Sequence, residues 1–414
     1  MNEAIVVLNA GSSSLKFSIY EVAGLGLLPL ARGQVEGLVT SPHFKAKDQN
    51  GQSLADDSLV STGGRIGHPE AFAHLADWAL KHFGERLRTI AVGHRIVHGG
   101  TEFIGPTLIT EKVLGKLEQL VPIMPLHQPH NLAGVRAAMQ LRPDLTQVAC
   151  FDTAFHRTKP KVAERFGLPD EMFREGVRRW GFHGLSYESI SNQFRTLAPE
   201  IAAGRVVVAH LGNGASLCAM KDGQSVDTTM SFSALDGPPM GTRCGTLDPG
   251  VILFLLRQGW KVEQIEELLY RKSGLLGISQ VSSDMRELQA SREPLAAEAI
   301  EFFVYRIIRE IGSLVAVLGG LDALVFTGGI GENSPAIREE VCYHLSWLGV
   351  NIDSSANARG TGRISSKSQA PAVWVIPTDE EKVIADHTLT VVRSFNEQLT
   401  APNQVPVASV SASR

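Results

Sequence analysis

Cysteine is scarce in this chain. Four occur in 414 residues, Cys150, Cys218, Cys244 and Cys342, widely spaced and with no C-x-x-C pair. That excludes a disulfide framework and a zinc knuckle. A basic excess is missing too: 39 Lys and Arg stand against 43 Asp and Glu, a formal net charge of −4. The chain as a whole offers no surface for nucleic acid or an anionic membrane, although a local basic pocket for a small anion stays open. No apolar run approaches the roughly 18 residues of a membrane span. The best candidate, Leu314 to Phe326, is interrupted by Gly319, Gly320 and Asp322. The N-terminus has no export signal, because Glu3 is acidic and the apolar stretch Ala4 to Leu8 is short, so a cytoplasmic location is expected. Two nucleotide signatures are absent as well. There is no G-x-x-x-x-G-K-[ST] run and no G-x-G-x-x-G directly after a strand, which sets aside P-loop and Rossmann sites.

What is present is a strand–turn–strand plan written twice. Ile5 to Leu8 is apolar and β-branched, Asn9 to Ser14 is a small polar turn, and Leu15 to Val22 alternates. Residues 205–220 repeat this: Val206 to Val208, then His210 to Gly214, then Ala215 to Met220, with Asp222-Gly223 turning a further hairpin. Strands are expected at Ile90–Val97, Gln147–Phe151, Ala323–Phe326 and Ala372–Ile376. Glu298 to Val317 carries a helical stripe of Ile300, Phe303, Val304, Ile307 and Ile311, and Val251 to Tyr270 is a second helical candidate. Thr40 to Gly67 reads as loop, the Gly24/Gly26 region as a plain loop, and the tail beyond Thr400 as disordered. Strands interleaved with helices in a chain too long for one core predict an α/β protein of two similar halves.

Asn9–Ser14, Gly212–Ser216 and Gly328–Asn333 are glycine- or serine-rich turns, each following a strand. Small residues let successive backbone N–H groups close on an oxyanion. One such turn is also what any tight hairpin needs; three in one chain point to a nucleotide. Eight segments then occur in order: Asn9-Ala-Gly-Ser-Ser-Ser-Leu-Lys16, Gly93-His-Arg-Ile-Val-His-Gly-Gly100, Phe151-Asp-Thr-Ala-Phe-His156, Gly181-Phe-His-Gly184, His210-Leu-Gly-Asn-Gly-Ala-Ser216, Met240-Gly-Thr-Arg243, Phe326-Thr-Gly-Gly-Ile-Gly-Glu-Asn333 and Thr378-Asp-Glu-Glu381. Together they resemble the acetokinase family of the acetate and sugar kinase/chaperone ATPase/actin superfamily. The resemblance implies two related actin-like (ribonuclease H-like) domains with mixed sheets flanked by helices around a central nucleotide cleft. Residues 1–153 plus 385–400 would form one and 154–384 the other.

The same resemblance implies transfer of the ATP γ-phosphoryl group to acetate, with Mg²⁺ (Mn²⁺ substituting) and a homodimeric enzyme. Asn9 and Glu380 would hold the cation, Glu381 being the alternative. Ser12, Ser14 and Lys16 would face the phosphates. His210, Leu211, Gly212, Asn213 and Gly214 would form the second phosphate loop. Asp284, Met285 and Arg286, with Gly329, Ile330, Gly331, Glu332 and Asn333, would contact the nucleoside. Arg95 and Arg243 suit phosphoryl and carboxylate oxygens, since arginine offers a fixed fork of donors that stays charged. His183 would donate to the transferring group. Asp152, at a strand end, would hold the active-site carboxylate position. An acid substrate is already ionised at neutral pH and needs no general base, so orientation of the substrate or of metal-bound water is the better role for Asp152. Val97, Leu126, Phe182 and Ala234 would line the acyl pocket.

Each has a plainer reading. Asn9 caps a turn, Lys16 is a solvent-facing strand residue, Arg95 is a structural salt bridge, and Asp284 and Arg286 begin a helix. His94 and His98, four apart in a β-rich segment, read as hydrogen-bonded structural residues rather than zinc ligands. Cys244 is a small loop residue. The sequence departs from the family at Ala234, where a proline usually lines the pocket, and at Cys244 and Thr246. The loss of bulk at Ala234 keeps propionate as an alternative substrate, and a non-catalytic nucleotide clamp is the alternative from another class.

Overall fold

The computed structural model describes residues 1–38, 40–59 and 66–400, with side chains given up to 397. The expected disordered tail, 401–414, lies outside the described residues.

Two sheets organise the chain. The first has eight strands: β1 (Asn2–Ala10), β2 (Ser14–Ala23), β3 (Gly26–Glu36), β4 (His43–Asp48), β5 (Ser53–Ser58), β6 (Leu87–Ile96), β7 (Thr107–Leu108) and β8 (Thr146–Phe151), in the order β5-β4-β3-β2-β1-β6-β8-β7. The second has six: β9 (Arg205–Leu211), β10 (Ala215–Lys221), β11 (Gln224–Thr228), β12 (Ala323–Thr327), β13 (Gly362–Arg363) and β14 (Ala372–Val375), in the order β11-β10-β9-β12-β14-β13. Each half runs the same way. An antiparallel meander (β3-β2-β1 or β11-β10-β9) continues into a parallel set (β1-β6-β8 or β9-β12-β14). This is the two-domain actin-like fold, and the repeated hairpin read from the sequence is its topological start.

The central strands are apolar on both faces because helices cover both. Ile5, Val7 and Leu8 of β1, and Val206, Val207 and Val208 of β9, are all buried. The first sheet buries Phe17 and Phe44 under the His68–Phe83 helix, against its Trp78. Its other face is covered by the Glu380–Thr400 helix, which places Val383, Ile384 and Leu389 against Ile5 and Val7. Gly93 in β6 makes that seating possible, since a Cβ there would lie 2.3 Å from Thr388 Oγ1 and 2.8 Å from Ile384 Cγ2. The Pro294–Leu318 helix buries Phe303, Val304, Ile307 and Ile311, the expected stripe, against the second sheet. No helix among the described residues is long and apolar enough to cross a membrane.

Three expectations change. Thr40 to Gly67 is not loop throughout, because β4 and β5 form a hairpin there. Its alternation is short and masked by lysines, with Phe44 and Ala46 buried between exposed or half-exposed Lys45 and Lys47. Asp48 closes the turn by accepting from Asn50 N and Gln52 N. The Gly24/Gly26 region is likewise a hairpin turn, and the Leu-Leu-Pro run after it belongs to β3. Val251 to Tyr270 is two helices, Pro249–Arg257 and Val262–Arg271, separated at Gly259, whose φ of +86° ends the first.

Candidate active site

Asp152 follows β8 directly, its N–H donating to the Ile96 carbonyl of β6 and its carbonyl accepting from Gly184 N. It is thus tied to the strand that carries Arg95 and to the helix that His183 opens. The Arg95 guanidinium reaches two acids through its three nitrogens, with two of its five N–H groups left over. Nε and Nη2 donate to Asp152 at 3.0 and 2.8 Å, and Nη1 pairs with Glu380 at 3.0 Å. The side chains are 19% (Arg95), 3% (Asp152) and 13% (Glu380) exposed, so this is a largely dry triad. Burial pulls the arginine down in pKa, but Asp152 and Glu380 outweigh it and hold the charge firmly in place. Burial pushes the Asp152 carboxyl up, and Arg95 opposes that shift. Removing one member would strand a buried charge, a cost of about 3–5 kcal/mol in comparable pairs.

Asn9, next to last in β1, lies on the same sheet face as Arg95. It pairs in register with Lys16, and Val7, two residues before it, pairs with Gly93, two residues before Arg95. Glu380 is the first residue of the Glu380–Thr400 helix, which delivers it to Arg95 from the second half of the chain. Glu381 points elsewhere. It lines a cleft of about 570 Å³ with Tyr20, Lys16, Arg32 and Lys47. Burial, then Glu380 and Asp379, push its carboxyl up. Lys16 therefore lines this cleft with Glu381, on the same face of the first sheet as its register partner Asn9. Ser12 is exposed and Ser14 half-buried at the β1–β2 turn.

On the second sheet the turn between β9 and β10 meets two other segments. A cavity of about 480 Å³ is lined by Gly212, Asn213, Asp284, Met285, Arg286, Gly329, Ile330 and Asn333, with Ser283, Gln289 and Ser334 beside them. Eight of the expected nucleotide residues thus line one space. Asp284 also caps the Met285–Ala290 helix through Arg286 N at 2.8 Å and pairs with the exposed Arg286 side chain, which holds its carboxyl down at about 2. Leu211 and Gly331 are buried in the walls. Glu332 turns inward, accepting from Gly328 N at 2.9 Å and Thr378 N at 3.3 Å, so it braces the loop before Glu380 rather than facing the cavity. The Gly328–Asn333 segment is a short helix and not an open turn.

His183 and Arg243 close the space between these groups. His183 caps the Gly184–Leu197 helix with a left-handed backbone, φ +58°. Its ring stacks on His210 at 4.3 Å between centroids. Arg243 Nη1 donates to the Ala234 carbonyl at 2.8 Å. Both reach the β9–β10 turn, where a Cβ on Gly214 would lie 3.2 Å from Arg243 Nη2 and 3.3 Å from His183 Nε2. Burial, then His210 and the Arg95 and Arg243 cations, keep His183 neutral far below the ordinary histidine range. Burial, then Arg95, lowers His210 to about 4. Val97, Phe182 and Ala234 share one apolar cluster with Met124 and Trp180; Leu126 is half-buried and outside it.

Two residues here, His127 and Asn131, carry no sequence signal. His127 opens the Gln128–Leu141 helix and is lowered to about 4 by burial and by Arg243 and Arg95. Asn131 donates to the Ala10 carbonyl at 2.7 Å and accepts from Val97 N at 3.0 Å, locking the β1–β2 turn to the end of β6. His94 bonds Gln147 at 2.7 Å and His98 Nδ1 accepts from Gly100 N, so both are structural.

A carboxylate–arginine triad and a glycine-walled, nucleotide-sized cavity, in this fold, fit a phosphotransferase. The acetokinase family profile matches residues 4–386. An acetate kinase of Rhodopseudomonas palustris (strain TIE-1) is 52% identical over 393 residues, covering 94% of this chain and 98% of that protein. One of Rhizobium meliloti is 47% identical, covering 95% and 100%. Among solved structures, a propionate kinase from Francisella tularensis superposes with a TM-score of 0.87 at 36% identity, over 94% of this chain and 99% of that one. Porphyromonas gingivalis acetate kinase gives 0.83 at 38%, over 94% and 100%. The chain belongs to the acetokinase family, and its reaction class is phosphoryl transfer to a carboxyl group.

Proposed function

We propose that this chain catalyses reversible, direct in-line transfer of the ATP γ-phosphoryl group to acetate, giving acetyl phosphate and ADP. The observation that carries this reading is that Arg243 and His183 meet at Gly214 of the β9–β10 turn, with Arg95 near enough for its charge to bear on His183. A carboxylate oxygen of acetate forms the new bond to phosphorus as the bond to the bridging oxygen of ADP breaks. No base is needed, since acetate is already an anion. The loose transition state spreads charge over three equatorial oxygens, so positioning and fixed positive charge do the work. Arg243 and the neutral His183 N–H would supply donors to those oxygens. Asp152 would aim Arg95 at the acetate carboxylate.

Mg²⁺, with Mn²⁺ as a substitute, suits the oxygen donors Asn9 and Glu380 beside Asp152. Among the described residues no three His, Cys, Asp or Glu are grouped to hold a metal by themselves. The remaining ligands would be water and phosphate oxygens, which is how this hard cation binds nucleotides. It would neutralise charge between the β- and γ-phosphates. The Glu380–Arg95 ion pair favours Glu380 over Glu381 for this role.

Propionate is the second reading, favoured by Ala234 in the apolar cluster and by the likeness to the Francisella propionate kinase. Mg²⁺-ATP-dependent acyl phosphate, trapped as the hydroxamate with acetate, propionate and butyrate side by side, tests both. Acetate should give the highest rate. Propionate in front would rename the substrate, and no product with any acid, despite ATP binding, would leave a nucleotide clamp.

The domain limits 1–153 plus 385–400 and 154–384 are retained in this proposal, supported by the Glu380–Thr400 helix packing on the first sheet. A homodimer is proposed as well. The Pro249–Arg257 helix buries none of its residues and exposes Val251, Leu253, Phe254 and Leu256, with Trp260 beside them, an apolar face that a second copy would cover. Four free thiols support a cytoplasmic location.

A further inference from the structure

Behind His183 lies a chain of buried hydroxyls. His183 Nδ1 is 2.9 Å from Ser216 Oγ, and Ser216 Oγ is 2.5 Å from the Tyr187 hydroxyl. Ser216 stands in β10 just beyond the Gly212–Gly214 turn, and Tyr187 lies one turn along the helix that His183 opens. Both are fully buried. The imidazole thus has one nitrogen in a dry hydroxyl pair and the other, Nε2, facing the Gly214 and Arg243 side.

The proton positions follow from acidity. A phenol is a stronger acid, and so a better donor, than an alcohol. Tyr187 therefore donates to Ser216. The one proton of Ser216 is then free only for Nδ1, which must accept it. Thr228, also beside Tyr187, gives its own proton to the Leu217 carbonyl, and the 2.5 Å separation marks Ser216 as the Tyr187 partner. A neighbouring histidine shows the same arrangement with its direction fixed. His156 Nε2 lies 2.9 Å from the Phe182 carbonyl, a pure acceptor, so Nε2 carries the proton and Nδ1 accepts from Ser225 at 2.8 Å.

We propose that Ser216 and Tyr187 are positioning residues that hold His183 as its Nε2–H tautomer, turning its one N–H toward the oxygens of the transferring phosphoryl group. The proposal rests on the transfer reaction proposed above. A neutral imidazole has a single proton. Were it on Nδ1, Nε2 would offer a lone pair to an anionic oxygen and repel the group it should stabilise. Nothing in the left-handed backbone at His183 chooses between these two forms; the hydroxyl pair does.

The test uses the intact enzyme with ¹⁵N-labelled histidine, the His183 signals being identified by their loss in His183→Gln. The wild type should show a protonated Nε2 and an unprotonated Nδ1. Ser216→Ala should give mixed tautomers, and kcat should fall on the order of tenfold to a hundredfold with the KM for acetate little changed. Tyr187→Phe should cost about threefold, and Ser216→Thr should restore both readouts. Wild-type His183 protonated on Nδ1, or Ser216→Ala with unchanged nitrogen shifts and kcat, overturns the proposal. If Ser216→Ala fails to fold, the wild-type spectrum and Tyr187→Phe still decide it. An Nε2–H tautomer in a protein that forms no acyl phosphate would sink the reaction and leave the relay standing.

Discussion

The β1–β2 and β9–β10 hairpins open their respective sheets with the same topology, yet they are built for different work. The first ends in an exposed serine turn, and Lys16 beside it looks out over a wide cleft with Arg32 and Lys47. The second is packed tightly, its Gly214 wedged against Arg243 and His183. Where the turn is open, residues have room and chemistry depends on side chains brought from elsewhere, Arg95 and Glu380. Where it is closed, the turn itself sets the geometry. A repeated fold therefore distributes roles unequally: one half holds charge, the other holds distance.

The largest expected effect lies in the charge-holding half. Asp152→Asn removes one acid from Arg95 and should lower kcat on the order of 10³-fold while the melting transition stays cooperative. Near-normal hydroxamate formation in this variant would break the comparison by showing that Arg95 needs no aiming. The next effect contrasts the two turns directly. Gly214→Ala should cost about 10²-fold in kcat, because the new methyl displaces Arg243 or His183. Gly11→Ala should stay within about twofold, since its Cβ would meet only Ser14, its Oγ at 3.4 Å and its carbonyl oxygen at 3.7 Å, ordinary contacts. Equal losses from both would show that the first turn is as constrained as the second.

Ala234→Pro sharpens the picture at the acyl pocket. Added bulk there should raise the acetate-to-propionate ratio of kcat/KM by roughly tenfold, the discrimination one methylene supports. An unchanged ratio would take Ala234 out of the pocket. The most gradual effect is on stability. Burial holds His94, His98 and, with Arg95, His210 at about 4, so each is neutral when folded. Between the unfolded value of about 6.5 and the folded one, the unfolded chain binds more protons, so stability falls as pH drops through that window. Tm should decline from pH 7 to pH 5. A flat Tm would mean that these rings take up protons in the native state without cost.

Much of this was legible in the chain. Both hairpins, the parallel strands and the long helix follow from alternation and from a 3.6-residue stripe, which are local properties. β4 and β5 were not, because their buried faces hold only Phe44 and Ala46 among lysines and aspartates. The candidate residues were legible by motif, but their relations were not. Arg95 and Asp152 are 57 positions apart, and Glu380 arrives from the far end of the chain, so no local spacing encodes the triad. His127 gave no signal in the sequence; only the fold sets it beside two arginines.

The Glu380–Thr400 helix has a consequence for how the molecule is made. It carries the acid opposite Arg95 and also covers Ile5 and Val7, residues translated long before it. On the ribosome, the first sheet must wait with one apolar face bare until that helix has been made. A chain stopped short of residue 380 would lack both the acid and the cover. Premature products would be inactive and apolar at once, which marks them for clearance rather than for unregulated ATP turnover.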